Sequence, residues 1–328
     1  MRQEFTAQTR KEIKKACKGR VMNNLGRCIG INFLYMVPFA LLVLLMYLVL
    51  FGRVFAMAMA GYTDEYMLGM ALARGMNTVW LVLFLMILIS GPLTLGIMRF
   101  YLALQRGEEP GVSTLFKPFT SLRALWAGIK MEFCLTFRSA LWMIGPTVVY
   151  MILAVSMALS MAMRGSAGNV SGVMTVLNIL YFIALIPIEI KVMTYSAGWV
   201  LVCDDETRGV WDATREASAA FKGQFGKLFV FLLSFVGWYI LLMGVIYLCG
   251  GLGAAGLILV KGSTGIAIMV TALIAAVCVA VLLGAFLNAY VMTSFFGMYA
   301  HLSAPVAGPQ DTPFTGSWPG QGGDGTPQ

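Results

Sequence analysis

Residue types that carry enzyme chemistry are sparse in this sequence. His301 is the only histidine among the 328 residues, so one chain cannot assemble a histidine-based metal site or a catalytic triad. The densest acidic stretch, CDDETRGVWDATREAS, contains Asp204, Asp205 and Asp212, carboxylates that a divalent metal in phosphate-ester chemistry would need. Its spacing matches neither a D-D-x-x-D nor a D-G-x-x-A-R motif. We therefore favour a structural interpretation, in which Asp205 or Thr207 caps a helix.

Polar residues near the ends of apolar stretches are the better candidates for ligand binding. They are Arg99, Glu189, Lys191 and Asn288. An ionisable residue inside a membrane segment is a functional candidate by default. Counted from Met174, Glu189 lies about 22 Å along its stretch, near the edge of the hydrocarbon, where snorkelling of a purely structural side chain is the alternative. The i,i+2 spacing turns Glu189 and Lys191 apart, so an ion pair of either would involve another helix.

The elements that must position these residues are membrane spans. Hydrophobic residues make up 59% of the chain and charged residues 12%, with a mean hydropathy of +0.82. Soluble domains have about 45–50% apolar and about 25% charged residues. Six apolar stretches reach the roughly 20 residues that a span needs: Cys28–Gly52, Met76–Met98, Ala140–Met163, Met174–Met193, Leu228–Leu252 and Gly265–Leu287. Because these runs are continuous rather than alternating, they predict an all-α polytopic bundle of six transmembrane helices.

Basic residues are divided unevenly between the two sides of this bundle. Of the 23 lysines and arginines, 19 precede the first stretch or belong to the second and fourth connections, and four belong to the other connections. The positive-inside rule then predicts that both termini and the long connections are cytoplasmic. The same bias explains the net charge of +8 by attraction to anionic lipids, without nucleic acid as a partner.

The six spans are predicted to form three hairpins, each preceded by an amphipathic cytoplasmic leader helix. The leaders are Thr9–Gly19, Ser121–Arg138 and Asp204–Gly223. Thr9 and Glu12 have the spacing of a capping box. The second leader has an apolar stripe at helical spacing, formed by Leu122, Leu125, Trp126, Ile129 and Phe133. We expect the apolar faces of the leaders to lie in the membrane interface, with basic side chains among the head groups.

Two sequence blocks resemble a known family. The first is GPLTLGIMRFYLALQRGEEPGVSTLFKPF, residues 91–119, in which we expect a helix to Arg106 and a turn at Gly107–Gly111. The second is REASAAFKGQFGKLFVFLLSFVGWYILL, residues 215–242. Both resemble hallmark regions of a bacterial integral-membrane family known as domain of unknown function 975. The resemblance covers about residues 10–302 and implies a six-helix membrane protein with no established activity. The end of the last span departs from the family, which often has a Pro-Tyr pair there.

The second block is predicted to serve helix packing through Gly223, Gly237 and Trp238. Gly223 is expected to end a helix in the left-handed conformation. Trp238 lies about 16 Å along the helix from Lys227, too deep for an aromatic belt, so it should pack against another helix while Gly237 allows close approach. On this interpretation Gly237→Leu destabilises the bundle far more than Gly262→Leu.

The chain is predicted to comprise a basic N-terminus, a membrane domain and a disordered Pro/Gly-rich cytoplasmic tail, residues 1–27, 28–302 and 303–328. It contains no P-loop, G-x-S-x-G or H-E-x-x-H motif, so we expect neither a cofactor nor a metal. The preferred function is that of a non-enzymatic bacterial inner-membrane protein that binds an amphiphile or hydrophobic peptide near the inner leaflet, with membrane lipids as partners. Two alternatives stay open: an assembly partner of another membrane protein or of a second copy, and a membrane enzyme acting on lipid head groups.

Overall fold

Helices provide all the regular structure in the computed structural model, which describes residues 5–59, 65–164, 170–260 and 262–304. The elements are α1 (Ala7–Asn23), α2 (Leu25–Met59), α3 (Glu65–Arg106), a 3-10 helix (Val112–Thr120), α4 (Leu122–Arg164), α5 (Val170–Ser196), α6 (Gly198–Asp204), α7 (Val210–Ala220), α8 (Phe225–Leu233), α9 (Val236–Leu259) and α10 (Ser263–Ser303). The expected tail lies outside the described residues from residue 305 onward.

Six segments within the described ranges are long and apolar enough to cross a membrane. They are Leu25–Gly52, Gly75–Arg106, Leu122–Met157, Gly172–Asp204, Phe225–Leu259 and Ser263–Ser303. In the three hairpins, α2 packs along α3, α4 along α5, and α9 along α10. The predicted all-α bundle of six spans in three hairpins is confirmed.

The most completely buried residues gather at one end of the bundle. We call it the basal end, formed by α1, the 3-10 helix, α6, α7 and the adjoining ends of α3 and α10. Phe100 and Tyr101 of α3 and Phe295 of α10 are fully buried there. Toward the opposite end, large apolar side chains such as Phe55 and Leu259 are mostly exposed, as suits helices surrounded by hydrocarbon. The charge distribution predicts that the basal end is cytoplasmic.

Glycines bring α3 into close contact with its neighbours. A Cβ atom on Gly91 would lie 2.6 Å from the carbonyl oxygen of Gly128 in α4, and one on Gly128 would lie 2.8 Å from that of Gly91. A Cβ atom on Gly96 would overlap the backbone of Leu115 in the 3-10 helix. Only residues without a side chain allow backbones to approach this closely. The first sequence block therefore forms the tight helix crossing that was expected of the second.

The packing prediction is wrong for two glycines of the second block. A Cβ atom on Gly223 or Gly237 would meet nothing within 4 Å, and Gly237 is exposed. Gly223 instead has a φ of 83°, the left-handed conformation expected from the sequence, in the turn that joins α7 to α8. Trp238 does pack inward, edge-to-face on Phe286 of α10, with 5.7 Å between ring centroids.

The first leader differs from its prediction in both its ends and its contacts. α1 begins at Ala7, where the Thr6 hydroxyl accepts a hydrogen bond from the Thr9 amide, 3.2 Å away, so the box of Thr9 and Glu12 does not form. The helix also continues through Gly19 to Asn23. Its apolar face is buried against α10, because the basal core competes with the membrane for that surface.

The second leader is continuous with the third span in the single helix α4. Leu122, Trp126 and Phe133 of the predicted stripe are exposed, whereas Ala124 and Met131 on the opposite face are buried. The stripe thus points away from the protein, the direction that an interfacial position requires.

Candidate functional site

A buried polar network joins three helices at the basal end of the spans. The Tyr101 hydroxyl of α3 donates a hydrogen bond to Oδ1 of Asn32 in α2, 3.0 Å away. Nδ2 of Asn288 in α10 donates to the same Oδ1 at 2.8 Å and to the Tyr101 hydroxyl at 3.2 Å. Asn32 in turn donates to the Cys28 carbonyl at 2.8 Å. Since buried polar groups need partners, this network fixes α2, α3 and α10 relative to one another.

A groove of about 370 Å³ between α2 and α10 ends at this network. Its walls are mainly apolar or small residues: Phe33, Met36, Val277, Ala280, Val281, Gly284 and Ala285, with Asn32 and Asn288 at the polar end. Phe33 and Met36 are 56% and 61% exposed, so the groove opens sideways onto the surface that faces lipid. A cavity of this size with a few convergent polar groups is typical of small-ligand sites.

The polarity of the groove changes along the membrane axis. From Asn288 the groove continues along α10 to Val277, which is about 16 Å at 1.5 Å per residue, away from the basal end. Oδ1 of Asn288 accepts no hydrogen bond from the described residues, which leaves one acceptor at the polar end. The groove therefore suits a molecule with a polar portion at the basal end and an apolar chain directed toward the membrane centre.

Arg99, which was also predicted to bind a ligand, lies outside this groove. It forms an ion pair with Glu206, which follows α6, and both side chains are largely buried. Nearby, Arg106 donates to both carboxylate oxygens of Asp204, at 2.6 and 2.8 Å. These two pairs tie α3 to the end of α6 and to the connection that follows it, a structural role that charge spacing alone did not reveal.

The acidic stretch is occupied by local contacts. Oδ1 of Asp205 accepts hydrogen bonds from the Thr207 amide at 2.9 Å and from its hydroxyl at 2.6 Å, and these bonds lower the pKa of Asp205. The N-cap of α7 is Gly209, so the prediction that Asp205 or Thr207 caps this helix is wrong. Within the described ranges, no group of three or more His, Cys, Asp or Glu residues is placed to hold a metal ion.

The remaining predicted polar residues lie on α5. Lys191 donates a hydrogen bond of 2.9 Å to the Ser218 hydroxyl of α7, and Thr194 donates to the same oxygen at 3.0 Å. Glu189 is exposed on another face of α5. The structure therefore separates Arg99, Glu189 and Lys191 from Asn288, and only Asn288 borders the groove.

A contact between α1 and the junction of α8 with α9 was not predicted. Nζ of Lys14 donates to the Ser234 carbonyl at 3.1 Å and to its hydroxyl at 2.8 Å, and it lies 4.0 Å from the centre of the Phe235 ring. Burial, and secondarily the Arg10 charge, lowers the pKa of Lys14. One turn later, Lys18 lies 5.4 Å from the Trp238 ring centre. The Leu-Ser-Phe-x-Gly-Trp pattern was the signal available, because its serine and aromatic residues form this lysine site.

Six apolar helices, a buried basal core and a groove open to the lipid-facing surface define a multi-pass membrane protein. The chain belongs to the family of proteins of unknown function DUF975, whose model matches residues 1–304. This match confirms the resemblance seen in the two sequence blocks. No curated protein and no solved structure matches the chain.

Proposed function

We propose that this protein binds an amphiphile of the inner leaflet in the groove between α2 and α10. The apolar chain of the ligand lies along Phe33, Met36 and Val281, and its polar portion meets Asn32 and Asn288. The membrane is the bacterial cytoplasmic membrane, with both termini in the cytoplasm. The observation that carries the proposal is the groove itself, which is apolar along its length, polar at its basal end and open toward lipid.

The orientation of the groove supports the inner leaflet. If the basic basal end is cytoplasmic, as the positive-inside rule predicts, a lipid of that leaflet has its head group at the level of the network and its chain along the groove. Entry needs no opening of the bundle, because the groove is already exposed on its side.

Binding without catalysis is the form of the proposal that the polar contacts favour. Of the three carboxylates that a head-group enzyme would use, Asp204 and Asp205 are engaged by Arg106 and Thr207, and Asp212 is exposed in the first turn of α7. On α9, where small residues could serve an assembly partner, Gly253 and Gly256 pack within the chain against Ala272 and Ile268 of α10, whereas Gly250 is exposed and open.

The test is to fill the groove and measure retained lipid. Gly284 lines the groove, and a Cβ atom there would meet nothing within 4 Å, so Gly284→Leu occupies the cavity without a backbone clash. Gly244→Leu in α9 is the matched control, because Gly244 is exposed and equally open. Native mass spectrometry of the two purified variants should show loss of bound lipid for Gly284→Leu alone, at similar melting temperatures.

Equal lipid retention by both variants would contradict the proposal. A second polypeptide that leaves with Gly284→Leu, with no lipid in the wild-type preparation, would also contradict it and would favour the assembly role.

A further inference from the structure

The groove between α2 and α10 has no charged residue in its described lining. The sequence of α10 contains no Asp, Glu, Lys or Arg, and that of α2 contains only Arg27 and Arg53. Arg27 forms an ion pair with Glu109. Lys14, which approaches α10 from α1, donates its hydrogen bonds to Ser234. A charged head group at the polar end of the groove would therefore lose water without gaining a counter-charge, which is costly.

A backbone carbonyl determines how the two amides at that end are oriented. Nδ2 of Asn32 donates to the Cys28 carbonyl at 2.8 Å, so the other atom of this amide, Oδ1, must face the network. Oδ1 of Asn32 then accepts from the Tyr101 hydroxyl at 3.0 Å and from Nδ2 of Asn288 at 2.8 Å. The Asn288 amide is thereby held with its nitrogen toward the network and its oxygen away from it.

One acceptor is left over by this arrangement, the Oδ1 atom of Asn288. It accepts no hydrogen bond from the described residues, and it is not fully buried in the groove that Asn288 lines. Nδ2 of Asn288 directs its hydrogens at Asn32 and Tyr101. A carbonyl oxygen only accepts, so a group that complements it must donate. An ionised phosphate or carboxylate also only accepts and would be repelled by this oxygen.

We infer that the ligand of this groove is an uncharged amphiphile whose head group carries a hydroxyl or an amide N–H. The head group donates a hydrogen bond to Oδ1 of Asn288, and the chain lies against Phe33, Met36 and Val281. Long-chain alcohols, isoprenoid alcohols and diacylglycerols have this chemistry, and phospholipids do not. The inference rests on the proposed function, because it names the ligand class of the same groove.

The test compares three probes that share one chain and differ in the head group: tetradecanol, its methyl ether and tetradecyl phosphate. Each is titrated into the purified full chain after lipid removal, and binding is measured by native mass spectrometry. Gly284→Leu, which fills the groove, gives the binding to be subtracted for each probe. Tetradecanol should bind about fivefold more tightly than the ether, which cannot donate. It should bind about tenfold or more tightly than the phosphate, whose charge has no partner in the groove.

Two variants locate the hydrogen bond. Asn288→Ala removes the acceptor and should abolish the preference for the alcohol over the ether. Asn178→Ala is the matched control, because Asn178 is an amide of α5 that bonds to Tyr150 outside the groove, and this variant should keep the preference. Melting temperatures are recorded for both, and the three probes on the unaltered chain decide the question if Asn288→Ala does not fold.

The outcomes separate this inference from the proposed function. Equal binding of alcohol and ether, or tighter binding of the phosphate, each lost in Gly284→Leu, would overturn the uncharged ligand class and leave the groove as an amphiphile site. If no probe bound in a way that depends on Gly284, the proposed function would be overturned and this inference with it.

Discussion

The two sequence blocks that carry the family resemblance both combine glycines with aromatic residues, but their glycines have opposite surroundings. In the first block, Gly91 and Gly96 of α3 touch the backbones of Gly128 and Leu115. In the second block, Gly237 faces open space, and the contacts are made by Ser234 and its aromatic neighbours with lysines of α1. The first block therefore holds helices together by backbone proximity. The second block instead holds α1 through the lysine side chains of that helix.

Leucine at Gly96 should produce the largest loss of stability in this comparison. Its side chain has no space beside the Leu115 backbone, which cannot move as a flexible side chain would. We expect Gly96→Leu to destabilise the protein by about 3 kcal/mol or more. Gly237→Leu, the matched control, should leave the melting temperature nearly unchanged. Thermal melts in detergent would measure both, and equal melting temperatures would refute the distinction between the blocks.

The same structure reverses an expectation drawn from the sequence. Gly262 has a φ of 85°, a conformation that a leucine adopts only with strain, whereas Gly237 is helical and open. Gly262→Leu should therefore be the more destabilising of the two, by about 1 kcal/mol or more. The sequence shows that a glycine is present, but its neighbours and its φ decide its role.

Replacement of Lys14 should lower the stability of the protein by less than Gly96→Leu does. Lys14→Met keeps an unbranched chain but removes two hydrogen bonds to Ser234 and the charge above the Phe235 ring. We expect a loss of about 1–2 kcal/mol, together with faster hydrogen exchange in α1. Lys15→Met is the control, because Lys15 is the next residue of the same helix and is exposed. A similar melting temperature for both variants would show that α1 is held by its apolar face alone.

The six spans could be predicted from the sequence, whereas of the groove only Asn288 was, for a physical reason. The length and continuity of apolar runs fix the six spans, and the Gly107 turn after Arg106 is a local signal that the structure reproduces with a φ of 88° at Gly107. The groove depends on Asn32 and Asn288, which are 256 residues apart, and the lysine site joins residues 220 apart. Such long-range pairs depend on how the helices pack, and helix packing cannot be predicted from a single sequence.

The smallest expected effect concerns Lys18 and Trp238. The lysine is exposed, so water competes for its charge, and its Nζ lies 5.4 Å from the ring centre rather than the 4.0 Å that separates Lys14 from Phe235. At an exposed site a cation–π contact contributes about 0.5 kcal/mol. A double-mutant cycle of Lys18→Gln with Trp238→Leu should therefore give a coupling energy of about 0.5 kcal/mol, and a cycle of Lys14→Met with Phe235→Leu should give a larger one. The packing of Trp238 on Phe286 cancels in the cycle, because Lys18→Gln leaves that contact in place. If the Lys18 cycle gave the larger coupling, the second block would hold α1 mainly through Trp238, and the role assigned to Ser234 and Phe235 would be wrong.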